Sequence, residues 1–397
     1  MKQFDQSNLL KSLPDQFFAA LTKKAAHYVN AGHDVINLGQ GNPDQPTPDH
    51  IVESLKEAAD RPDFHKYPPF QGQAFLKEAA AEFYNREYDV DLDPQTEIAI
   101  LFGGKAGLVE LPMCLMNPGD YMLVPDPGYP DYWSGAAMAG AKMDYMPLIE
   151  EHRFLPDYNE IGEERLERAK LLLLNYPNNP TGAQATRGFF DETVALANKH
   201  DVCVIHDFAY GGIGFDGQKP PSFLQSKGAK EIGVELYTLS KTYNMAGWRV
   251  AFLAGNKSII SAVNLLQDHM YVSLFSAIQQ AAATALTGPQ DCVRELSDTY
   301  ERRRNALIDA CQAIGWNVTA PAGSFFAWLP VPKPYTSVEF ADLLLEKAHV
   351  VTAPGIGFGT YGEGYVRVGL LTDEDRLTEA LERIGELGLF IDKTTEK

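Results

Sequence analysis

Four stretches of this chain end in residues able to do chemistry together. GGKAG (103–107) follows the apolar run IAILF, and NYPNNPTG (175–182) closes KLLLLN. HDFAYGG (206–212) closes VCVIH, and TLSKTYNMAGWR (238–249) closes VELYTL. A lysine in a protein-lined cleft, here Lys241, loses its charge more readily than in water, and a neutral amine can form a Schiff base with a carbonyl. A carboxylate such as Asp207 can keep a heteroaromatic nitrogen protonated. Gly103-Gly104-Lys105 at a helix start, the hydroxyls of Thr238 and Ser240, and the Arg249 guanidinium form a donor set for a phosphate. Pyridoxal 5′-phosphate is the cofactor that needs all three. Singly, each residue has an ordinary explanation: a surface lysine, an aspartate cap, a turn at Asn-Pro-Thr-Gly. Their joint order and spacing carry the reading.

The elements that must position them follow from apolar patterning. Short continuous apolar runs at 98–102, 121–124, 170–175, 202–206, 234–239 and 249–254 read as strands buried on both faces. Helical spacing covers 51–59, capped by Asp49, then 74–86 and 294–314. Alternation of the two predicts an α/β fold with a mostly parallel central sheet between helices. Ligands in such sheets sit where the strands end, and the chemistry-bearing residues fall there. Segments 323–329 and 365–370 read as strands of a smaller α+β unit, with the Gly-rich stretch 354–364 a mobile loop between them. The expected division is an N-terminal segment (1–45) packing on the small unit, a large cofactor-binding domain (46–290) and a small C-terminal domain (291–397).

Composition excludes several classes. With 397 residues and a net charge of −19, the chain offers no positive footprint for nucleic acid and no polybasic membrane contact. No apolar run approaches the ~18 residues of a membrane span, and the polar, interrupted start lacks a signal peptide's apolar centre. Cys114, Cys203, Cys292 and Cys311 have no metal-site or disulfide spacing, and no metal is expected. A cytoplasmic enzyme is the expectation.

With these motifs, INLGQGNPD (36–44), KYPPFQG (66–72), PDPGYP (125–130), APAGSFFAWL (320–329) and YVRVGL (365–370), the chain resembles a class I aminotransferase of pyridoxal-phosphate fold type I, almost end to end. The resemblance implies Lys241 as the Schiff-base lysine and proton shuttle, Asp207 as partner of the ring nitrogen, and Asn179 and Tyr210 as donors to the ring's phenolic oxygen. It implies Tyr129 stacked on the ring, and Gly104, Lys105, Thr238, Ser240 and Arg249 around the phosphate. Tyr67 would reach the phosphate of a neighbouring subunit, hence a homodimer with shared active sites. Arg367 would clamp the substrate α-carboxylate, assisted by the backbone near Gly39, with Asn179 beside it. The implied reaction is ping-pong transfer of an amino group from an L-amino acid to a 2-oxo acid.

Within the family the phrases are similar to the branch holding LL-diaminopimelate aminotransferases and the Bacillus-type enzymes of methionine salvage. The salvage reading is transfer from glutamine to 4-methylthio-2-oxobutanoate. Aspartate or LL-diaminopimelate transamination is its alternative, and a carbon–sulfur β-lyase on the same fold is the alternative of another class. Lys105 reads either as a cation for a distal carboxylate or as a helix-start lysine at the phosphate. Segment 267–275 would help line the pocket across the dimer without supplying an arginine, and Gln16-Phe17-Phe18 would form a lid.

Overall fold

The structure is a computed structural model that describes residues 2–14 and 17–390, with the side chains of the second stretch described from residue 21 onward. In chain order the strands are β1 (Ile36–Asn37), β2 (Ile98–Leu101), β3 (Tyr121–Asp126), β4 (Lys142–Pro147), β5 (Ala169–Asn175), β6 (Cys203–Asp207), β7 (Gly233–Thr238), β8 (Ala251–Gly255), β9 (Phe326–Pro330), β10 (Val350–Val351), β11 (Ala353–Pro354) and β12 (Tyr365–Gly369).

Seven of them form one sheet in the order β2-β8-β7-β6-β5-β3-β4. Neighbours from β7 to β4 are parallel, while β8 runs antiparallel to both β7 and β2. The alternating pleat explains why these runs are apolar throughout. Leu172 and Leu174 enter one buried cluster with Val204 and Phe252, while Leu171 and Leu173 enter another with Ile205 and Leu253. Both faces of the sheet are therefore dry, and polar residues are displaced to the strand ends.

A second, antiparallel sheet, β11-β12-β9, packs its own core around Phe325, Phe326, Val366 and Val368. The strand β1 pairs in parallel with β10, and Ala25 packs with Leu345 and Val351, which anchors residues 21–38 beside this sheet.

Several expectations shift. The helix Asp49–Ala59 begins on Asp49, with Pro48 at the cap position and no side-chain cap bond. The expected strand 249–254 starts at Ala251, because Arg249 adopts a left-handed φ of 56° before the chain straightens. The expected strand 323–329 starts at Phe326, and β4 is an additional edge strand whose mixed pattern KMDYMP hid it. The stretch 354–364 is two short 3₁₀ turns, Gly355–Phe358 and Thr360–Gly362, tied to Asp126. Among the described residues, no helix is long and apolar enough to cross a membrane.

Candidate active site

The carboxyl ends of β5, β6 and β7 carry Asn175, Asp207 and Thr238 along one rim. Since β8 is antiparallel, its entrance lies at that same rim and brings Arg249 with it. The antiparallel β2–β8 pairing puts the end of β2, with Gly103 and Gly104, there as well. These ends surround a cavity of about 460 Å³ lined by Gly39, Gly104, Lys105, Tyr129, Asn179, Asp207, Tyr210, Thr238, Ser240, Lys241, Arg249 and Arg367. Twelve of the thirteen residues singled out from sequence thus converge. Tyr67 does not: it is 89% exposed on its own chain.

Lys241 lies in the short helix Leu239–Thr242 that follows β7, and its Nζ donates to the carbonyl of Gly41 at 3.0 Å. Burial pushes its amine down to about 8, and the nearby charges of Arg367 and Arg249 add to that. Asp207 shows the opposite case. Burial pushes its carboxyl up to about 6, although the Tyr132 hydroxyl donates to Oδ2 at 2.8 Å and holds the charged form. Both groups are thus shifted toward neutrality, Lys241 from above and Asp207 from below.

Asn179 is held by the turn that closes β5. Its N–H donates to Asn175 Oδ1 at 2.8 Å, while Asn175 Nδ2 donates to the backbone oxygen of Asp207 at 2.8 Å. Its own Oδ1 accepts from Arg367 Nη1 at 2.8 Å, which leaves its amide N–H groups to donate elsewhere. Arg367 comes from β12 of the small sheet and also donates from Nη2 to the carbonyl of Gly39 at 3.1 Å. Complete burial lowers it to about 10, still a cation at neutral pH. Phe326 lies 3.9 Å and Phe358 4.6 Å (ring centroids) from its Cζ. Tyr210 is buried against the edges of Phe325 and Phe326, and desolvation keeps its hydroxyl protonated.

At the other end of the cavity, Thr238 Oγ1 donates to Ser240 Oγ at 2.9 Å, and the helix Gly104–Leu115 begins. The Arg249 guanidinium lies across Gly103, where an added Cβ would come within 2.3 Å of Nη2. With φ at +82°, Gly103 meets both a conformational and a steric demand that other residues do not. Lys105 Nζ pairs with Asp131 Oδ1 at 2.9 Å.

The donor set fits pyridoxal phosphate. A glycine-floored turn with two hydroxyls, a helix start and a guanidinium suits the phosphate; the buried carboxylate suits the ring nitrogen; and the amine with lowered basicity suits the carbonyl carbon.

Sequence reasoning missed Tyr132, Asn175 and Asp131, which support Asp207, Asn179 and Lys105. The signal for Tyr132 lay in its place three residues after Tyr129, at the start of the helix Asp131–Ala139. None of residues 267–275 lines the cavity of its own chain. The side chains of the expected lid, Gln16, Phe17 and Phe18, lie outside those described.

Comparison with known proteins agrees with this geometry. The family model for aminotransferase class I and II matches residues 33–384. The L-glutamine–4-(methylsulfanyl)-2-oxobutanoate aminotransferase of Bacillus subtilis is 66% identical, over 100% of this chain and 99% of its own length. An LL-diaminopimelate aminotransferase of Moorella thermoacetica is 43% identical, over 96% of this chain and 97% of its own. The substrate-bound structure of BacF from Bacillus subtilis superposes with a TM-score of 0.94 at 49% identity, covering 99% of this chain and all of that one. The chain belongs to the class I and II aminotransferases and is an enzyme that works with pyridoxal 5′-phosphate.

Proposed function

We propose that this aminotransferase moves the amino group of L-glutamine to 4-methylthio-2-oxobutanoate, forming methionine. The observation that carries this reading is the end-to-end identity of 66% with the relative of that specificity. The cavity supports it: Leu21, Ala25, Phe326 and Val351 give its substrate side apolar wall, suited to a thioether, and Lys105 is already paired with Asp131.

The residue roles are part of the proposal. When bound, pyridoxal phosphate supplies a carbonyl carbon for the substrate amine and a ring that accepts the electrons released at Cα. Arg367 holds the α-carboxylate by its two-pronged face, with Asn179 and the Gly39 backbone fixing the guanidinium. Lys241 Nζ would take the Cα proton and deliver it to the carbon that was the cofactor's carbonyl, on the far side of the substrate nitrogen, for which an amine near neutrality is suited. Asp207 keeps a proton on the ring nitrogen, and Tyr132 keeps Asp207 charged. Among the residues lining the cavity, Tyr210 and Asn179 would donate to the phenolic oxygen, Tyr129 would cover the ring, and Gly104, Lys105, Thr238, Ser240 and Arg249 would hold the phosphate. Tyr67, exposed on its own chain, reaches the site of a second copy, so that the enzyme works as a homodimer. Residues 46–290 form the cofactor-binding domain, with 1–45 and 291–397 completing the substrate side, and the enzyme resides in the cytoplasm, where its free cysteines stay reduced.

The test is a half-reaction titration of the yellow holoenzyme with no keto acid present. Methionine and glutamine are expected to discharge the cofactor's absorption band, while aspartate and LL-diaminopimelate leave it. Discharge by either of the last two alone would reassign the substrate.

A further inference from the structure

The PDPGYP motif holds a carboxylate that the chemistry above does not use. Asp126 ends β3, is 2% exposed, and its side chain faces the Gly-rich turns of the small sheet. Oδ2 accepts from the N–H of Thr360 and Oδ1 from that of Tyr361, each at 3.0 Å. Gly359 lies so close that an added Cβ would come within 2.1 Å of Oδ1, and its φ of +131° is itself a glycine conformation. Two residues along from Asp126, the Gly128 N–H donates to the carbonyl of Phe358 at 2.8 Å. The rim of the large sheet therefore grips residues 358–361 at three backbone groups.

What the grip holds is Phe358. Its ring is fully buried, lies edge-on to Trp328, and sits 4.6 Å from Cζ of Arg367. The guanidinium is thus held by Asn179 and Gly39 through hydrogen bonds and by Phe326 and Phe358 through its faces. Phe358 is held in turn by the rim that carries Tyr129 and, beyond it, the cofactor-binding residues.

We propose that Asp126 is a positioning residue for substrate binding: by anchoring residues 359–361 it sets Phe358 under Arg367, and so sets where the α-carboxylate is received. This rests on the reading of Arg367 as the carboxylate clamp. A buried carboxylate accepting two backbone N–H groups makes stiff, charge-assisted bonds, and a shift of the ring beneath a guanidinium changes both its orientation and its desolvation.

The test compares wild type, Asp126→Asn, Gly359→Ala and Arg367→Lys as holoenzymes. The half-reaction rate is followed against methionine concentration and against 3-methylthiopropylamine, which has the same side chain and no carboxylate. Asp126→Asn turns an amide N–H toward a backbone N–H, and Gly359→Ala pushes the turn off an unaltered carboxylate. Both are expected to raise half-saturation for methionine about tenfold, with the limiting rate within about twofold, as for loss of uniform binding. Cofactor content and the amine's kinetics stay unchanged. Unchanged half-saturation in Gly359→Ala, whether or not Asp126→Asn folds, overturns the proposal, as does an equal loss with the amine. If Arg367→Lys itself leaves methionine binding intact, the clamp reading fails, a result separate from normal Asp126→Asn and Gly359→Ala beside an impaired Arg367→Lys.

Discussion

The hydroxyl of Tyr132 donates to Oδ2 of Asp207 at 2.8 Å, both groups buried in the protein, so that one phenol helps a cavity carboxylate keep its charge. Burial favours the protonated acid and the Tyr132 bond opposes it. A bond to a charged acceptor is worth about 1.5–3 kcal/mol. In Tyr132→Phe the Asp207 carboxyl therefore rises, and the acid limb of the kcat/KM profile moves to higher pH by about one unit or more. A pH–rate profile identical to wild type would contradict this.

Asp207 also predicts opposed effects on stability and activity. Its folded value of about 6 lies above the ordinary 3.8, so its contribution to stability is present below pH 3.8 and lost as pH rises through 6. The cofactor-free protein at pH 7.5 bears a cost of up to about 3 kcal/mol for this buried charge. Asp207→Asn, whose amide oxygen still accepts from Tyr132, is expected to raise the urea midpoint of the cofactor-free chain at pH 7.5 but not at pH 4. Activity falls by orders of magnitude in the same variant. A lower midpoint at pH 7.5 would count against the assignment.

On the role proposed for Lys241, capture of the cofactor by the cofactor-free chain needs its amine neutral. Its rate is expected to rise with pH and level off near 8, not near the 10.5 of an ordinary lysine. Arg367→Gln removes one of the charges that hold the amine down and moves the inflection upward. Stopped-flow absorbance across pH 6–10 reads both, and a wild-type rate that still rises about tenfold per pH unit up to pH 10 refutes the buried-amine account. Lys241→Ala should fold and fail to turn over.

The proposed sharing of active sites between two copies makes a stoichiometric prediction. Lys241→Ala and Tyr67→Ala are each inactive alone, yet a random mixture of subunits is expected to recover about a quarter of wild-type activity, since half the dimers hold one intact site of two. Tyr67 stands 89% exposed on its own chain, which motivates the experiment. No gain on mixing, with exchange verified by mass, would place Tyr67 outside the site.

At Gly103 an added methyl would meet the Arg249 guanidinium at 2.3 Å in a backbone region disfavoured for alanine. Gly103→Ala is expected to weaken cofactor retention at least tenfold, measured by dialysis and absorbance, and to cost the cofactor-free chain about 1–3 kcal/mol of backbone strain. Full retention would show that the turn is not a phosphate seat.

The amino-acid sequence by itself determined which groups could do the chemistry and that they share a rim. Runs such as KLLLLN and VCVIH are apolar on both faces, so polar residues can only follow them, and Asn179, Asp207 and Lys241 declare themselves at the ends. Tertiary structure decided the rest, because it depends on contacts between distant parts of the chain. Tyr132 meets Asp207 across 75 residues and Arg367 meets Asn179 across 188, pairings that no local pattern encodes. The stretch 354–364 looks mobile as a string of glycines, yet Gly359 is what lets its backbone close on Asp126, where no side chain would fit. Composition reports conformational freedom in the unfolded chain; only the packed neighbour says whether that freedom is kept or used up in a close approach.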